Sequence, residues 1–542
     1  MKTIFCFLGT LLITIISCHG QNNNVILVIL DDWGLDQMES FNLGTNFAST
    51  PTIDKLKNNG VLFTNFTTCP VCSPTRAALL TGKYGFRTNV GDVIDFGEKD
   101  MDTSFMTIPK VLNNYGITSA MIGKYHLGVS EFNQKRNPIA QGFSYYAGNL
   151  LGMVSNNYIW DRTVASTNSI SQSKEFKYIT SKTIDDAINW IDGQTKNWFM
   201  WLSFNAPHEP FQKPPVSLIH TPVTGSSSDI LNNPDKYYRA SLEALDTELG
   251  RLLTHLEETG NYENTTIFLM GDNGTPKEAV EFFPEDHCKG SLYEGGIRTP
   301  LIVSGNLVKT KNVTKNGLVN VTDLYSTILN CFGVTNNQIN VLNPKNDSKS
   351  FYNTIVNNEK ITREWVYSER FITTNEIREN DGVAISNGNF KLILKRNGES
   401  ELYNLTDDKL ETKNLLVGSN QRLFDGCFVK SLCDSLFELT GIDYCSNIKD
   451  GDKNCISTGV INPNSPLNIY PNPCDEILNL NLSSYNQPII YKLIDLNGVV
   501  KKENNGENGD KIINTSDLNN GIYVLQISEG TKKWIKKIVV QH

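Results

Sequence analysis

Short, continuous apolar runs recur along the N-terminal part of the chain, and each has the length of a β-strand. They are residues 25–30, 61–66, 119–122, 198–204, 267–270 and 301–303. Runs without polar alternation are typical of strands that are buried on both faces of a sheet. Segments with helical spacing lie between the runs: residues 108–114, 178–191 and, most clearly, 237–258, whose leucines keep to one face. This alternation predicts an α/β domain with a mainly parallel sheet flanked by helices.

Polar residues follow four of these runs directly. The four groups are Asp31 and Asp32, Lys124 and His126, Asn205 and His208, and Asp272 and Asn273. Sites in parallel α/β sheets lie beyond the carboxyl ends of the strands. Adjacent carboxylates there are costly unless they are solvated or bound to a cation. Each pair taken alone also suits a turn or a helix cap, but together they predict one site at this edge.

The pattern changes after Gly333, where the apolar runs become shorter and alternate with polar residues. Residues 366–368, 383–385, 390–394 and 401–405 predict a small antiparallel sheet, with a helix beside it. Asn, Pro and Ser dominate residues 462–473, and this composition is typical of linkers. Residues 477–482, 489–495 and 521–526 then predict a compact all-β module at the C-terminus.

Composition and charge place the chain among globular proteins. Its 542 residues are too many for one ordinary domain, and 39% hydrophobic and 20% charged residues allow a large core. The net charge of −9 argues against a nucleic-acid-binding protein, because no broad basic surface is implied. An anionic substrate stays compatible with this charge, since a site can be locally basic.

The first residues have the features of a secretory signal peptide. Lys2 precedes an apolar run that is too short to span a bilayer comfortably, and we expect cleavage after Gly20. The sequence Ile16-Ser17-Cys18 also suits lipoprotein processing, so a lipid anchor on Cys18 stays open. No later stretch of the sequence is apolar and long enough to predict a transmembrane segment.

The cysteines fall into two groups of interest. Four of the eleven cluster late in the chain: Cys427, Cys433, Cys445 and Cys455. An oxidising compartment would allow two disulfides among these four, and the sequence leaves all three pairings open. Cys69 and Cys72 form a C-x-x-C pair, but neither a thioredoxin-like context nor two further zinc ligands lie nearby.

One short segment, residues 72–83, combines a helix start with reactive groups. Residues 77–80 are strong helix formers, Pro74 suits the first turn, and Gly82 suits the end of the helix. Cys72 would then lie at the helix N-terminus, where free N–H groups and the helix dipole favour anions. Arg76 adds a planar cation one turn further on. By itself the motif also suits a cysteine in a turn before a buried helix.

The pattern Cys72-x-Pro74-x-Arg76, followed by Thr81-Gly82, resembles the signature of the formylglycine-dependent sulfatases. Further motifs in the family's order extend the resemblance over most of residues 25–415. The resemblance implies an alkaline-phosphatase-like fold and hydrolysis of sulfuric esters. It also implies that a maturation enzyme oxidises Cys72 to formylglycine.

The resemblance further implies a calcium site and a set of catalytic residues. The calcium ligands would be Asp31, Asp32, modified Cys72, Asp272 and Asn273, which offer the hard oxygens that calcium prefers. The catalytic residues would be Cys72, Arg76, Lys124, His126, His208 and Lys289. Lys124 and His126 match the family's Gly-Lys-x-His-x-Gly segment, His208 matches its Pro-His pair, and Lys289 precedes Gly-x-x-x-Glu-Gly-Gly. Tyr125 stands where many relatives have tryptophan, a departure that leaves the ionisable residues unchanged.

The implied mechanism uses the hydrated aldehyde of modified Cys72, a geminal diol, to attack sulfur. Calcium and Arg76 would acidify the attacking oxygen. Lys124, Lys289 and His208 would stabilise charge on the sulfate and on the leaving oxygen. His208 would be the general acid, and His126 would be the base that accepts the proton of the second hydroxyl.

The C-terminal module resembles the sorting domain of type IX secretion. The resemblance rests on Tyr470-Pro471-Asn472-Pro473, on Gly521-Ile522-Tyr523 and on the lysine-rich residues 532–537. It implies that the type IX machinery carries the chain from the periplasm of a Gram-negative cell to the medium or the cell surface. A carbohydrate-binding or immunoglobulin-like module is the alternative. The chain thus divides into a signal peptide (1–20), a catalytic α/β domain (21–335), an α+β subdomain (336–460) and the sorting domain (461–542).

Two other functions stay open beside sulfatase. One is a phosphonate or phosphodiester hydrolase of the same superfamily, and the other is a catalytically silent glycan-binding homologue. For a sulfatase, export outside the cell predicts a sulfated polysaccharide or oligosaccharide as the substrate. We expect an algal glycan such as ulvan, carrageenan or fucan, and a host glycosaminoglycan comes second.

Overall fold

The computed structural model describes most of the chain, and its residues form two compact units, Met1–Val417 and Gly418–His542. The described residues are 23–95, 99–128, 135–373, 376, 378–417, 426–448, 468–470, 474–481, 489–495, 499–504, 511–529 and 532–542. The predicted signal peptide with Cys18, most of the predicted linker, and Cys455 lie outside them. The domain boundaries after residues 335 and 460 stay predictions.

The first unit contains two sheets and the helices around them. Its strands are β1 (Asn24–Asp31), β2 (Gly60–Thr67), β3 (Thr118–Gly123), β4 (Tyr145–Gly148), β5 (Trp160–Ser166), β6 (Ile170–Glu175), β7 (Trp198–Pro207), β8 (Thr265–Gly271), β9 (Arg298–Gly305), β10 (Val313–Asn320), β11 (Val366–Arg370), β12 (Gly382–Ser386), β13 (Phe390–Lys395) and β14 (Ser400–Asn404). Its helices are α1 (Pro51–Asn58), α2 (Cys72–Thr81), α3 (Gly85–Thr88), α4 (Ile108–Asn113), α5 (Asn137–Ala140), α6 (Ile179–Asp192), α7 (Ser227–Asn232), α8 (Pro234–Glu258), α9 (Glu294–Ile297), α10 (Asp323–Cys331), α11 (Asn336–Leu342) and α12 (Tyr352–Asn357).

The large sheet has ten strands in the order β10-β2-β9-β8-β1-β7-β3-β4-β5-β6. At the centre of the sheet, strands β8, β1, β7, β3 and β4 run parallel to one another, and β10 runs parallel to β2. The remaining pairs are antiparallel, so the sheet is mixed and its centre is parallel. The four strands predicted to carry the site, β8, β1, β7 and β3, are consecutive. Their carboxyl ends therefore meet at one edge, as the sequence predicted.

Strand β1 shows why the apolar runs are continuous. Val25, Leu27 and Ile29 pack into a core with α2, α4 and α10 on one face of the sheet. The alternate residues of β1 pack on the other face, against α1, α6 and the leucines of α8. Because both faces are covered, every position from Val25 to Leu30 is apolar and buried. Each leucine that α8 buries there contributes roughly 1.5–3 kcal/mol to stability.

One strand differs from its predicted length in a way that matters for the site. The apolar run of β7 ends at Phe204, but the strand continues through Asn205 to Pro207. Its pairing with β1 is regular up to Ile29 and then skips, so that Asp31 pairs with Pro207. Such an irregularity re-aims the side chains at the end of a strand. Asn205 therefore belongs to the sheet and not to the loop that follows it.

The small sheet has the order β11-β12-β13-β14 and is antiparallel throughout, which confirms the prediction. It packs within the same compact unit as the large sheet. Ser368 donates to the carbonyl of Thr68 at 2.9 Å, and Glu369 accepts from the Phe86 amide at 2.9 Å. Both partners flank α2, so the small sheet supports the segment that carries Cys72.

The second unit contains a helix and an all-β module. Its elements are α13 (Gly426–Thr440), β15 (Asn468–Tyr470), β16 (Ile477–Asn481), β17 (Ile489–Asp495), β18 (Val500–Glu503), β19 (Lys511–Asn514), β20 (Gly521–Glu529) and β21 (Lys532–Val540). Strands β15, β16 and β19 form one sheet, and β18, β17, β20 and β21 form another. A disulfide joins Cys433 to Cys445. This bond occurs in one of the three pairings that the sequence left open for the four late cysteines.

No helix in the described part of the chain combines the length and the apolar character that a membrane span requires.

Candidate active site

Cys72 is the first residue of α2, as predicted, and it is 1% exposed. Every residue of this helix is buried. The helix ends at Gly82, whose φ of +67° suits glycine, and a Cβ there would lie 2.8 Å from the ring of Tyr325. The helix is thus held at both ends and directs Cys72 toward the polar edge of the sheet.

The Arg76 guanidinium ties α2 to strand β7 and to the residues that follow β3 and β8. It donates to the carbonyl of Lys124 at 2.8 Å, to Ser203 Oγ at 2.7 Å and to Asp272 Oδ2 at 2.7 Å. The side chain is completely buried. Burial opposes its charge, but Asp272 and Asp31 raise the pKa of Arg76, so the guanidinium stays charged. Arg76 therefore orders the site through fixed, charge-assisted hydrogen bonds.

The carboxylate of Asp31 faces both Cys72 and Lys124. Its Oδ1 lies 3.5 Å from the thiol of Cys72, and Lys124 Nζ lies 3.6 Å from the same sulfur. Lys124 also forms a close ion pair with Asp31 Oδ2, and both side chains are fully buried. Burial raises the pKa of Asp31 to about 7, against the lowering effect of Lys124. A cation bound here would therefore relieve an unfavourable buried charge.

Asp32 is held in a left-handed conformation with a φ of +70°. Its amide donates to Asp272 Oδ1 at 3.0 Å, and its carboxylate accepts from Asn273 and Lys289, each at 2.7 Å. Tyr238 donates to the Asp32 carbonyl at 2.7 Å. Burial would raise the pKa of Asp32, but the charge of Lys289, followed by those of His208 and Lys124, lowers it to about 2.

These residues fit a hard cation. Ligand atoms of Asp31, Asp32, Cys72 and His208 all lie within 4.8 Å of one another. The side-chain oxygen of Asn273 is buried and accepts no hydrogen bond from any described residue. Carboxylate and amide oxygens are the donors that calcium prefers, whereas the imidazole of His208 is a poor calcium ligand. The predicted ligands Asp31, Asp32, Asp272 and Asn273 are thus gathered around Cys72.

His126 lies on the segment after β3, and Gly152 packs against its ring. A Cβ on Gly152 would lie 2.2 Å from the imidazole, so only glycine allows this approach. The backbone of His126 is left-handed, with a φ of +57°, and its amide donates to the carbonyl of Leu150 at 3.1 Å. Neither ring nitrogen has a hydrogen-bond partner among the described residues. Burial is the main cause that lowers the pKa of His126 well below its usual value, and the charges of Lys124 and Arg76 lower it further. The ring is therefore neutral.

His208 follows β7 on the opposite side of the site. Its Nδ1 lies 2.7 Å from the carbonyl of Glu209, and this contact places the ring proton on Nδ1 in the neutral form. Its Nε2 is 3.8 Å from Asp32 Oδ2. Burial, followed by the charge of Lys289, lowers the pKa of His208 to about 3. An anion beside Nε2 would raise this pKa, because it would stabilise the imidazolium.

Lys289 completes the ring of charges on the solvent side. Its side chain is 21% exposed, and its amide donates to the carbonyl of Thr275 at 3.0 Å. Thr275 in turn donates to the buried carboxylate of Asp36 at 2.6 Å. Burial opposes the charge of Lys289, but Asp32 raises its pKa, so it stays an ammonium.

A cavity of about 240 Å³ opens beside Asp32 and Lys289. Its other lining residues are Glu209, Phe211, Pro276, Lys277, Glu278, Glu285 and Cys288. The cavity gives an incoming ligand access to the outer side of the charged cluster, whereas Cys72 lies at its inner side.

Direct contacts link every predicted site residue except His126. The linked residues are Asp31, Asp32, Cys72, Arg76, Lys124, His208, Asp272, Asn273 and Lys289. His126 is connected through its main chain, since Ser73 donates to its carbonyl at 2.8 Å. The sequence reasoning missed Ser73, Ser203 and Gly152. Ser203 carried a signal, because it is a polar residue within an otherwise apolar run.

Comparison with known proteins identifies two matching regions. Residues 23–334 match the family model described as "Sulfatase", and residues 468–541 match the "Secretion system C-terminal sorting domain". Arylsulfatase J of Mus musculus is 28% identical over 331 residues, which is 56% of this chain and 52% of that protein. The chain thus spans about half the length of this relative.

Solved structures share the fold of the first unit. Ps i-CgsB, solved in complex with k-i-k-neocarrahexaose, has a TM-score of 0.63 at 23% identity, over 79% of this chain and 93% of that chain. The phosphonate monoester hydrolase of Agrobacterium radiobacter has a TM-score of 0.58 at 17% identity, over 77% and 95% of the two chains. These likenesses confirm the predicted alkaline-phosphatase-like fold.

Proposed function

Because the chain belongs to the sulfatase family, we propose that it hydrolyses sulfate esters at the site around Cys72. One observation carries this proposal. Cys72 begins a fully buried helix and lies between Asp31 and Lys124, at 3.5 and 3.6 Å from their polar atoms. A group placed in this way is oriented by the helix and surrounded by charge before any substrate arrives.

The proposed cofactors are one calcium ion and a formylglycine made from Cys72. Asp31, Asp32, Asp272, Asn273 and the modified Cys72 would hold the ion. When present, calcium supplies a Lewis acid and formylglycine supplies an acidic diol as the nucleophile. The chain's own contribution is to fix these groups through Arg76, which holds Asp272 and the carbonyl of Lys124 in place.

The cationic side chains would bind the sulfate. Lys289 faces the cavity and Lys124 faces Cys72, so their ammonium groups lie on different sides of the site. Negative charge that develops on sulfate oxygens and on the leaving oxygen would be stabilised by these groups. In free protein Lys289 pairs with Asp32 and Lys124 pairs with Asp31, which keeps both side chains ordered.

The two histidines would move protons. The sulfate raises the pKa of His208, so that its Nε2 can gain a proton and give it to the leaving oxygen. The neutral ring of His126 can accept a proton on the side of Cys72. His208 is therefore the proposed general acid and His126 the proposed base.

The proposed substrate is a sulfated polysaccharide or oligosaccharide outside the cell. Support comes from the signal peptide in the sequence and from the sorting domain at residues 468–541. Secretion or attachment to the cell surface would bring the enzyme to polymers that do not enter the cell. An algal glycan such as ulvan, carrageenan or fucan is our first choice, and a host glycosaminoglycan is the second.

The test uses full-length protein produced together with a formylglycine-generating maturation enzyme. Mass spectrometry of the peptide that contains residue 72 should show the aldehyde. Ion chromatography should detect free sulfate from defined sulfated oligosaccharides, and calcium chelation should abolish the release. Matched aryl sulfate and aryl phosphonate esters provide the comparison. Faster cleavage of the phosphonate, or full activity with an intact Cys72 thiol, would overturn the proposal.

A further inference from the structure

Two loops each support one of the histidines. The first loop is residues 149–159, between β4 and β5, and the second is residues 208–213, after β7. In the first loop, the carbonyl of Leu150 accepts a hydrogen bond from the amide of His126 at 3.1 Å, and Gly152 packs against the imidazole. The second loop begins with His208 itself. The separation of the two rings therefore depends on how these loops are held.

Three hydrogen bonds cross from the first loop to the second. The amide of Asn157 donates to Gln212 Oε1 at 2.7 Å, and Asn157 Nδ2 donates to the carbonyl of Pro210 at 3.0 Å. The hydroxyl of Tyr158 donates to the carbonyl of Lys213 at 2.7 Å. Asn157 is 7% exposed, so its two bonds are largely shielded from water. Hydrogen bonds that are shielded from water contribute more to stability than those of an exposed loop.

Asn157 is also anchored to the body of the domain. Its carbonyl accepts the amide of Ile179 at 2.9 Å, and Ile179 is the first residue of α6. The rings of Tyr158 and Tyr178 pack with their centroids 5.2 Å apart, next to the same helix start. One residue thus joins the first loop, the second loop and a helix of the main core.

We propose that Asn157 is a positioning residue that sets the distance between His126 and His208. The inference rests on the proposed function, in which these rings transfer protons on opposite sides of the sulfate. Proton transfer demands placement within about 0.5 Å. The loops lie outside the sheet, and loops that lack such ties are more mobile than the scaffold they extend from.

The first test is the dependence of hydrolysis on the leaving group. Asn157→Ala is compared with wild type on a series of aryl sulfates whose phenols increase in basicity. A displaced general acid matters most for basic leaving groups. We therefore expect kcat/KM to fall about tenfold for the most basic phenol and about twofold for the least basic. An equal loss across the whole series would overturn the inference.

A second measurement does not depend on activity. Hydrogen–deuterium exchange of folded Asn157→Ala protein should increase in peptides from both loops, since the tie is shared. Faster exchange in residues 149–159 alone would contradict the proposal. Should Asn157→Ala not fold, Tyr158→Phe removes one crossing bond by deleting a single oxygen. It should show the same selective loss with basic leaving groups at about a third of the size.

Asn156→Ala is the matched control. The Asn156 side chain accepts the amides of Tyr158 and Ile159, at 2.7 and 3.1 Å, so its bonds stay within the first loop. Its leaving-group dependence should equal that of wild type. A steeper dependence in this control would show that any disturbance of the loop suffices, which overturns the role of Asn157. If the wild-type protein hydrolyses no sulfate ester, the proposed function is refuted. The hydrogen–deuterium exchange result would still show whether Asn157 connects the two loops.

Discussion

The site has an inner half and an outer half, and the two are built differently. The inner half, Asp31, Cys72, Arg76 and Lys124, is at most 1% exposed. The outer half comprises Asp32 and Lys289, which line the cavity, and His208, which lies beside Asp32. The side chains of His208 and Lys289 are 12% and 21% exposed. Inner residues lie on or directly after β1, α2 and β3. Of the outer residues, Asp32 and His208 directly follow β1 and β7, and Lys289 lies on a loop.

This difference separates two tasks. The inner half consists of charges that neutralise one another in a dry environment, so removing one member leaves a buried charge without its partner. We propose that the outer half contacts the ligand, because Asp32 and Lys289 line the cavity. We therefore expect inner substitutions to affect folding and activity together, and outer substitutions to affect activity alone.

The largest effect should follow loss of the nucleophile in the inner half. Cys72→Ala removes the group proposed to be converted to formylglycine, and we expect kcat/KM to fall at least about 10⁴-fold. Sulfate release from the best oligosaccharide measures this loss. Cys69→Ser is the matched control, because Cys69 is a buried cysteine of the same segment and should retain activity. Comparable activity of Cys72→Ala and wild type would refute the assignment.

Arg76→Lys should combine a loss of activity with a loss of stability. Lysine cannot reproduce the three fixed hydrogen bonds of the guanidinium fork. We expect unfolding to become easier by about 3 kcal/mol and activity to fall about 10³-fold. Urea unfolding and initial rates measure the two effects. An inactive variant with wild-type stability would contradict the expected difference between the two halves, because Arg76 would then behave like an outer residue.

His208→Ala should lower activity with little change in stability. The imidazole is partly exposed and makes one hydrogen bond within its own loop, so unfolding should change by less than about 1 kcal/mol. Loss of a general acid should reduce kcat about 10²-fold, most strongly for basic leaving groups. Rates and thermal melts of the same preparation test both parts. A large drop in melting temperature would count against the outer assignment.

The smallest effect concerns Glu369 in the small sheet, which supports the segment that carries Cys72. Burial raises the pKa of Glu369 to about 7, although hydrogen bonds from Phe86 and Tyr367 oppose it. Because the folded pKa exceeds the unfolded value, the stabilising contribution is complete below about pH 4.5 and is lost as pH rises through about 7. Glu369→Gln removes this dependence.

Between pH 5 and 8, wild type should therefore lose about 2 kcal/mol relative to the Glu369→Gln variant. Urea unfolding at each pH measures the difference. Glu399→Gln is the control, since this glutamate follows β13 and its side chain is 63% exposed. A parallel pH dependence of wild type and Glu369→Gln would show that Glu369 is ionised in the folded protein.

The sequence predicted the central strands because both of their faces are covered. In β1 the alternate residues enter two different cores, so no polar position interrupts the run. The edge strands escaped prediction for the opposite reason. Strand β6 has no buried residue and β10 buries its last two, so their polar sequences resemble loops. Helix α10 was also missed, although its apolar face packs on the core.

The site residues were predicted largely from motifs, and their support was not. Asp32 and His126 have a left-handed backbone, which their residue types permit but do not predict. The bonds of Arg76 to Ser203 and of Asn157 to Pro210 span 127 and 53 positions in the chain. Such pairs become neighbours only through the strand order of the sheet. Periodicity along the chain cannot reveal them.

The burial of Cys72 decides when it can be modified. The residue opens a helix without a single accessible position, and it is 1% exposed. If Cys72 is converted to formylglycine as proposed, the conversion must precede folding, because the folded chain leaves the thiol inaccessible to a second enzyme. A molecule that folds before this conversion would lack the proposed nucleophile. The specific activity of a preparation would then record the history of its production, even when every molecule has the same fold.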